Sequence, residues 1–164
     1  MEARYKMRYV ITSSEQFNFS NLYENFLDYA FTRTNCFAFV CTRRKGQKYS
    51  ENIKLIQQDL SFCKIKSKRI VSWLNKSYNS SQHESTVFYY KNTEKAKNIL
   101  KKINNLDNWN YFCGFKNPQD LSFFYDENCW FNLDGEMHRC IIIDPNENDI
   151  QFLKENDIKY TVFK

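Results

Sequence analysis

The sequence predicts an α+β domain built on one mixed sheet, and three observations carry that prediction. Apolar runs of strand length recur along the chain, some alternating and some continuous, and helical periodicities fall between several of them. The length of 164 residues, 42% hydrophobic and 18% aromatic, suits one domain with a sizeable core. Only 3 Gly and 2 Pro punctuate it, which disfavours a sandwich of many short strands. No internal repeat, low-complexity tract or dividing linker is present, so residues 1–164 read as a single domain.

Arg4–Thr12 alternates and is rich in β-formers, hence a strand, and Thr12, Ser13, Ser14 and Glu15 follow as a turn and helix start. From Asn21, a polar cap candidate, Leu22, Phe26, Leu27, Tyr29 and Ala30 recur at helical spacing and predict a helix to about Thr32. Cys36–Thr42 is a continuous apolar run, expected as a central strand buried on both faces. Arg43–Lys48 reads as a basic loop. Ser50 caps a second helix with Ile53, Leu55, Ile56, Leu60 and Phe62 on its apolar side. Lys68–Leu74 and Ser85–Lys91 read as strands joined by a polar loop around Asn75–Glu84. Thr93 starts a third helix with Ala96, Ile99, Leu100 and Ile103 inward and Lys95, Lys97, Lys101 and Lys102 outward. After an aromatic connector, Trp109–Phe115, the segments Asn128–Leu133 and His138–Asp144 flank the turn Asp134-Gly135 as a hairpin. Pro145 and Asn146 precede a short helix through Phe152 and Leu153, and Ile158–Phe163 is a final strand. The expected order is β-α-β-α-β-β-α-β-β-α-β.

No run of about 18 apolar residues exists to span a membrane. Met1–Val10 lacks the apolar core of a signal peptide, so the chain is expected to stay in the cytoplasm. The 6 cysteines, Cys36, Cys41, Cys63, Cys113, Cys129 and Cys140, include no CxxC pair and no zinc-finger spacing, and are expected as free thiols. The Asn, Lys, Ile, Tyr and Phe bias is that of an A+T-rich genome, a low-G+C bacterium or its phage. The net charge of +5 hides an asymmetry. Residues 1–106 hold 19 Lys/Arg against 8 Asp/Glu, and residues 107–164 hold 5 against 11, balances of +11 and −6. Such a chain could bind an anion with its basic part or neutralise itself on folding.

Phosphate-loop, dinucleotide, nucleophile-elbow and HExxH signatures are absent, so no cofactor is expected. The best catalytic candidates are Asp134, Glu136 and His138, spaced by two and so on one face of an extended segment. Two carboxylates and an imidazole suit a metal or acid–base chemistry, but an ordinary Asp-Gly turn accounts for the same residues, and no metal is expected there. His83 and Glu84 form a weaker pair, expected at an exposed loop tip. Asp120, Asp126, Asp144 and Asp149 could supply a two-metal nuclease site if folding gathers them.

The strongest binding signal is basic. Arg43, Arg44, Lys45 and Lys48 form one cluster, Lys64, Lys66, Lys68 and Arg69 a second, and Lys95, Lys97, Lys101 and Lys102 a third. Tyr49, Trp73, Tyr89 and Tyr90 lie nearby in sequence and could stack on bases. Trp109 and Tyr111, within the dense aromatic connector, are candidates for a protein interface.

Two stretches, LYENFLDYAFTRTNCFAFVCTR at 22–43 and DLSFFYDENCWFNLDGEMHRCIIID at 120–144, resemble a family of small uncharacterised bacterial proteins sometimes labelled stage III sporulation protein. The family pattern is a helix ending in a DYA-type segment, an apolar strand, and later a "CW" strand followed by a short His-Glu motif. Here Glu136 precedes His138, which departs from that order, and the resemblance implies no activity. The reading that follows is a non-catalytic protein-binding domain, of the immunity, anti-defence inhibitor or regulatory adaptor type. The alternatives are a nucleic-acid or anionic-ligand binder using residues 43–102, and a metal-dependent hydrolase or nuclease.

Overall fold

In the computed structural model, which describes residues 9–18, 21–74, 76–103, 109 and 115–164, the helices gather on one side of an eight-stranded sheet. The first half of the chain runs β1 (Tyr9–Ser13), α1 (Leu22–Arg33), β2 (Cys36–Arg44), α2 (Glu51–Asp59) and β3 (Lys64–Ile70). A small hairpin of β4 (Ser72–Trp73) and β5 (Lys76–Ser77) leads to β6 (His83–Lys91) and α3 (Glu94–Lys101). The second half holds β7 (Gln119–Tyr125), β8 (Asn128–Asp134), β9 (Arg139–Ile143), α4 (Glu147–Glu155) and β10 (Thr161–Phe163). The order across the sheet is β10-β1-β9-β8-β7-β2-β6-β3. The chain is an α+β fold. Its described pairs are all antiparallel, because the helical crossover through α1 joins strands that are not neighbours: β9, β8 and β7 lie between β1 and β2.

Strand alternation divides the core in two. On the helix side, Phe37, Phe39 and Cys41 of β2 and Phe88 and Tyr90 of β6 meet Tyr23, Phe26, Leu27 and Ala30 of α1, Ile53 of α2 and Leu100 of α3. Each such large apolar side chain contributes roughly 1.5–3 kcal/mol by leaving water. On the other face, Ala38, Val40, Ile70, Val87 and Phe124 form a smaller cluster with Trp73, Leu74, Tyr78 and Tyr89 packed on it. The β4–β5 hairpin therefore lies as a strap across the middle of a face that no helix among the described residues covers.

Caps fix the helices where sequence predicts them. The Ser50, Thr93 and Asn146 side chains accept from the backbone N–H of Ile53, Ala96 and Asp149, and Asn146 and Asp149 complete a reciprocal capping box. Asn21 precedes α1 but its side chain makes no capping bond. Other expectations need correction. The strand expected at Lys68–Leu74 is β3, which begins four residues earlier at Lys64, followed by the separate β4. The basic loop is shorter than expected, since β2 continues through Arg44. Leu55 and Phe62, assigned to the inner side of the second helix, are exposed. The sequence pattern does not predict β7. Its hairpin to β8 turns at Asp126, with φ +53 and no glycine, held by paired hydrogen bonds to the Asn35 side chain. Residues 4–8 of the expected first strand, Tyr111 and Cys113 lie outside the described residues.

Candidate functional site

Folding brings two of the three basic clusters together. β2 and β3 both pair with β6, with Arg43 opposite Glu84, Arg44 opposite His83, and Arg69 opposite Thr86. Glu84 is clasped from both sides, by Arg43 Nε at 2.7 Å and by an Arg69 guanidinium nitrogen at 2.9 Å. Arg44, Lys45, Lys48 and Lys68 lie at the same end of the sheet without contacting Glu84, while Lys64 and Lys66 continue the positive row along β3. Among the described residues, no carboxylate pairs with Arg44, Lys45, Lys48, Lys64, Lys66 or Lys68. The strand β3 is the sheet's edge, and every residue from Lys64 to Arg69 is exposed. His83 and Glu84 thus sit within a strand, where a loop tip is expected, and the His83 ring packs 4.7 Å from that of Phe115.

The third cluster behaves differently. Asp28 of α1 receives Lys97 at 3.0 Å and Lys101 at 2.9 Å, and Lys97 also meets Glu94 at 3.1 Å. Burial pushes the Asp28 carboxyl up, but the hydrogen bonds from Lys101 and Lys97 outweigh it and hold the group below its ordinary range. These lysines fasten α3 to α1.

The aromatic residues expected to stack on bases are all engaged. Arg43 covers the Tyr49 ring at 4.7 Å and Lys66 covers Tyr89 at 5.0 Å. Tyr90 is wholly buried, and Trp73 packs against Phe124 with its indole N–H donating to the Tyr89 hydroxyl. Trp109, an interface candidate by sequence, is also wholly buried: it packs on Phe39 and donates to the Tyr23 hydroxyl. It belongs to the core.

The acidic half of the chain is drawn into separate centres. Asp120 is buried on the open face with φ +56, a left-handed conformation that Asp tolerates better than most residues. Its carboxylate accepts from Lys76 Nζ at 2.9 Å, from the Tyr78 hydroxyl, and from the Gly135 N–H at 3.0 Å, tying the strap to the β8–β9 turn. Burial and then the Asp120 charge push the Tyr78 hydroxyl far above its usual range, so it stays a donor. On the opposite face Asp149 accepts from Tyr29 at 2.6 Å, Arg33 at 3.2 Å, Trp130 at 3.2 Å and the Asn146 N–H at 2.9 Å. Asp126 is held by Asn35. The sheet separates Asp120 from Asp149, so the carboxylates do not form one nuclease centre.

The trio at the β8–β9 turn also diverges. The turn spans Gly135–His138, four residues, because Asp134 still pairs with Arg139 as part of the ladder. Asp134 accepts from the Met137 N–H and from Arg139, each at 3.2 Å. Glu136 points toward Lys76 at 3.9 Å, lining with Asp120 and Asp134 a cavity of about 380 Å³ beside the strap. His138, at φ +49, lies in a different depression and its carbonyl accepts from the Ser14 N–H. Among the described residues, no three His, Cys, Asp or Glu side chains are grouped to hold a metal ion.

The described thiols Cys36, Cys41, Cys63, Cys129 and Cys140 form no disulfide with one another. Burial pushes Cys36 up to about 11 and Cys129 to about 12, and raises Cys41 and Cys63 as well. None of these four is set up as a thiolate nucleophile. No helix among the described residues is long and apolar enough to cross a membrane. Compared with protein-family models, curated proteins and solved structures, the chain matches none.

Proposed function

We propose that this chain is a non-catalytic binding domain that engages an acidic surface of a protein partner through the cationic end of β2, β6 and β3. An immunity, inhibitor or adaptor protein would work in this way. The observation that supports it most is the contrast in pairing: Glu84 is shared by Arg43 and Arg69, and Arg44, Lys45, Lys48 and Lys68 meet no carboxylate among the described residues, whereas Lys97 and Lys101 of α3 are already bound to Asp28. Exposed like charges on a rigid sheet raise the potential over that edge and steer an oppositely charged surface toward it. A single-stranded nucleic acid would also need rings to stack on, and Tyr49, Trp73, Tyr89 and Tyr90 are covered or buried.

Affinity capture from cells that carry the gene tests the reading. The native chain is compared with one bearing Arg44→Glu, Lys45→Glu, Lys48→Glu and Lys68→Glu, four exposed positions whose replacement leaves the core intact. One acidic protein retained by the native chain and lost by the variant is the expected result. Co-purified nucleic acid, or a protein held equally by both chains, would contradict it.

A further inference from the structure

The edge strand itself points to how the partner is held. We infer that an acidic extended segment of the partner adds to the sheet as a ninth strand along β3; this rests on the binding reading above. β3 ends the sheet order, so among the described residues no strand neighbours one side of its backbone, and its side chains from Lys64 to Arg69 are exposed. An open edge of this kind offers a row of N–H and C=O groups to another extended chain.

Charge decides which chain. Lys66 and Lys68 stand opposite Tyr89 and Val87 on the face without helices, while Arg69 stands opposite Thr86 on the other. A strand added here therefore meets Lys66 and Lys68 on one face and, on the other, Arg69, which shares Glu84 with Arg43. A second copy of β3 would set lysine against lysine, which cross-strand pairing disfavours, so the edge is closed to self-association. A segment alternating Glu or Asp with small or β-branched residues is complementary. The usable length is Lys66–Ile70, since the register shifts between Lys64 and Lys66 and leaves Ile65 exposed. At about 3.3 Å per residue these positions span about 17 Å. A groove of about 430 Å³ opens beside this stretch; Ile65, Tyr89 and Phe124 in its lining would receive an apolar side chain of the added segment, while Asp126 and Glu127, which also line it, disfavour an acidic one at that position.

The test titrates isotope-labelled full-length protein, by nuclear magnetic resonance, with a nine-residue peptide alternating Glu with Thr and Val. The comparison probe is the same peptide with its interior backbone nitrogens methylated, equal in charge but unable to join a ladder. We expect the plain peptide to bind at least tenfold tighter, with amide shifts and slowed exchange concentrated in residues 64–70. Lys66→Glu combined with Lys68→Glu should weaken it at least tenfold and allow an alternating Lys peptide to bind instead. Equal binding of the plain and methylated peptides would overturn strand addition while leaving the acidic-surface reading in place. Failure of both at millimolar concentration would also overturn strand addition, and the capture experiment still judges the broader reading. A short DNA duplex that binds more tightly than either peptide would overturn both.

Discussion

The Asp120 centre and the β3 edge carry charge in opposite ways. At Asp120 one buried carboxylate is enclosed by an ammonium, a phenol and a backbone N–H, so its charge is answered within the fold. Along β3, Lys64, Lys66 and Lys68 are exposed and meet no carboxylate among the described residues. An enclosed charge is one the structure depends on, because removing one member leaves the others buried without a partner. An exposed charge contributes little to stability and is free to meet something else. The same protein thus separates charges that hold it together from charges that face outward.

The largest expected effect lies on the enclosed side. Asp120→Ala should cost about 3–5 kcal/mol in denaturant unfolding, the scale for breaking a buried pair. Asp149→Ala should cost a similar amount, since it strands Arg33, Tyr29 and Trp130. By contrast, Lys66→Ala with Lys68→Ala should change stability by no more than about 0.5 kcal/mol. Comparable losses in the two regions would break the comparison.

Alkali sharpens it. Burial raises the phenols of Tyr23, Tyr29 and Tyr78 above their ordinary value, so the folded chain keeps protons that the unfolded chain releases near pH 10. The sign follows from that difference: the contribution is complete below about pH 10 and declines as pH rises further. Tyr78→Phe should cost about 1.5–3 kcal/mol at neutral pH, as for a hydrogen bond to a charged group, and should flatten the alkaline decline. An unchanged pH profile would show that Tyr78 is not enclosed as described.

How much of this was legible in the sequence depends on where the deciding information lies. Ser50, Thr93 and Asn146 announce their helices because a cap acts over three residues. The continuous apolar run of β2 and the β-forming run of β6 are equally local. β7 was hidden because Gln119 and Asp120 open it with polar residues, and its hairpin turns on Asp126 braced by a distant Asn35. The basic clusters are visible as residues, but their pairing is set by strand order. Nothing local shows that Glu84 sits between Arg43 and Arg69, or that Asp28 receives Lys97 and Lys101. Trp109 looked like an interface anchor because its composition is shared by hot spots and cores alike.

A smaller effect belongs to the α1–α3 contact. Asp28, held below its ordinary range, gives a contribution that is present above about pH 4 and fades as pH falls through its lowered folded value. Asp28→Asn should cost at most about 1 kcal/mol, as for an exposed ion pair, and should remove that acidic slope. A change of several kcal/mol would place these lysines among the enclosed charges instead.

The most direct measurement is the association rate, across ionic strength, of the native chain with the acidic partner we propose, once capture supplies it. Outward-facing charges predict a rate that falls at least tenfold between 20 mM and 300 mM salt, on the order expected for steered association. The variant with Arg44→Glu, Lys45→Glu, Lys48→Glu and Lys68→Glu should lose most of that dependence while melting at nearly the native temperature. A rate indifferent to salt, or a variant that loses its fold along with its binding, would contradict the division between charges that hold the structure and charges that meet a partner.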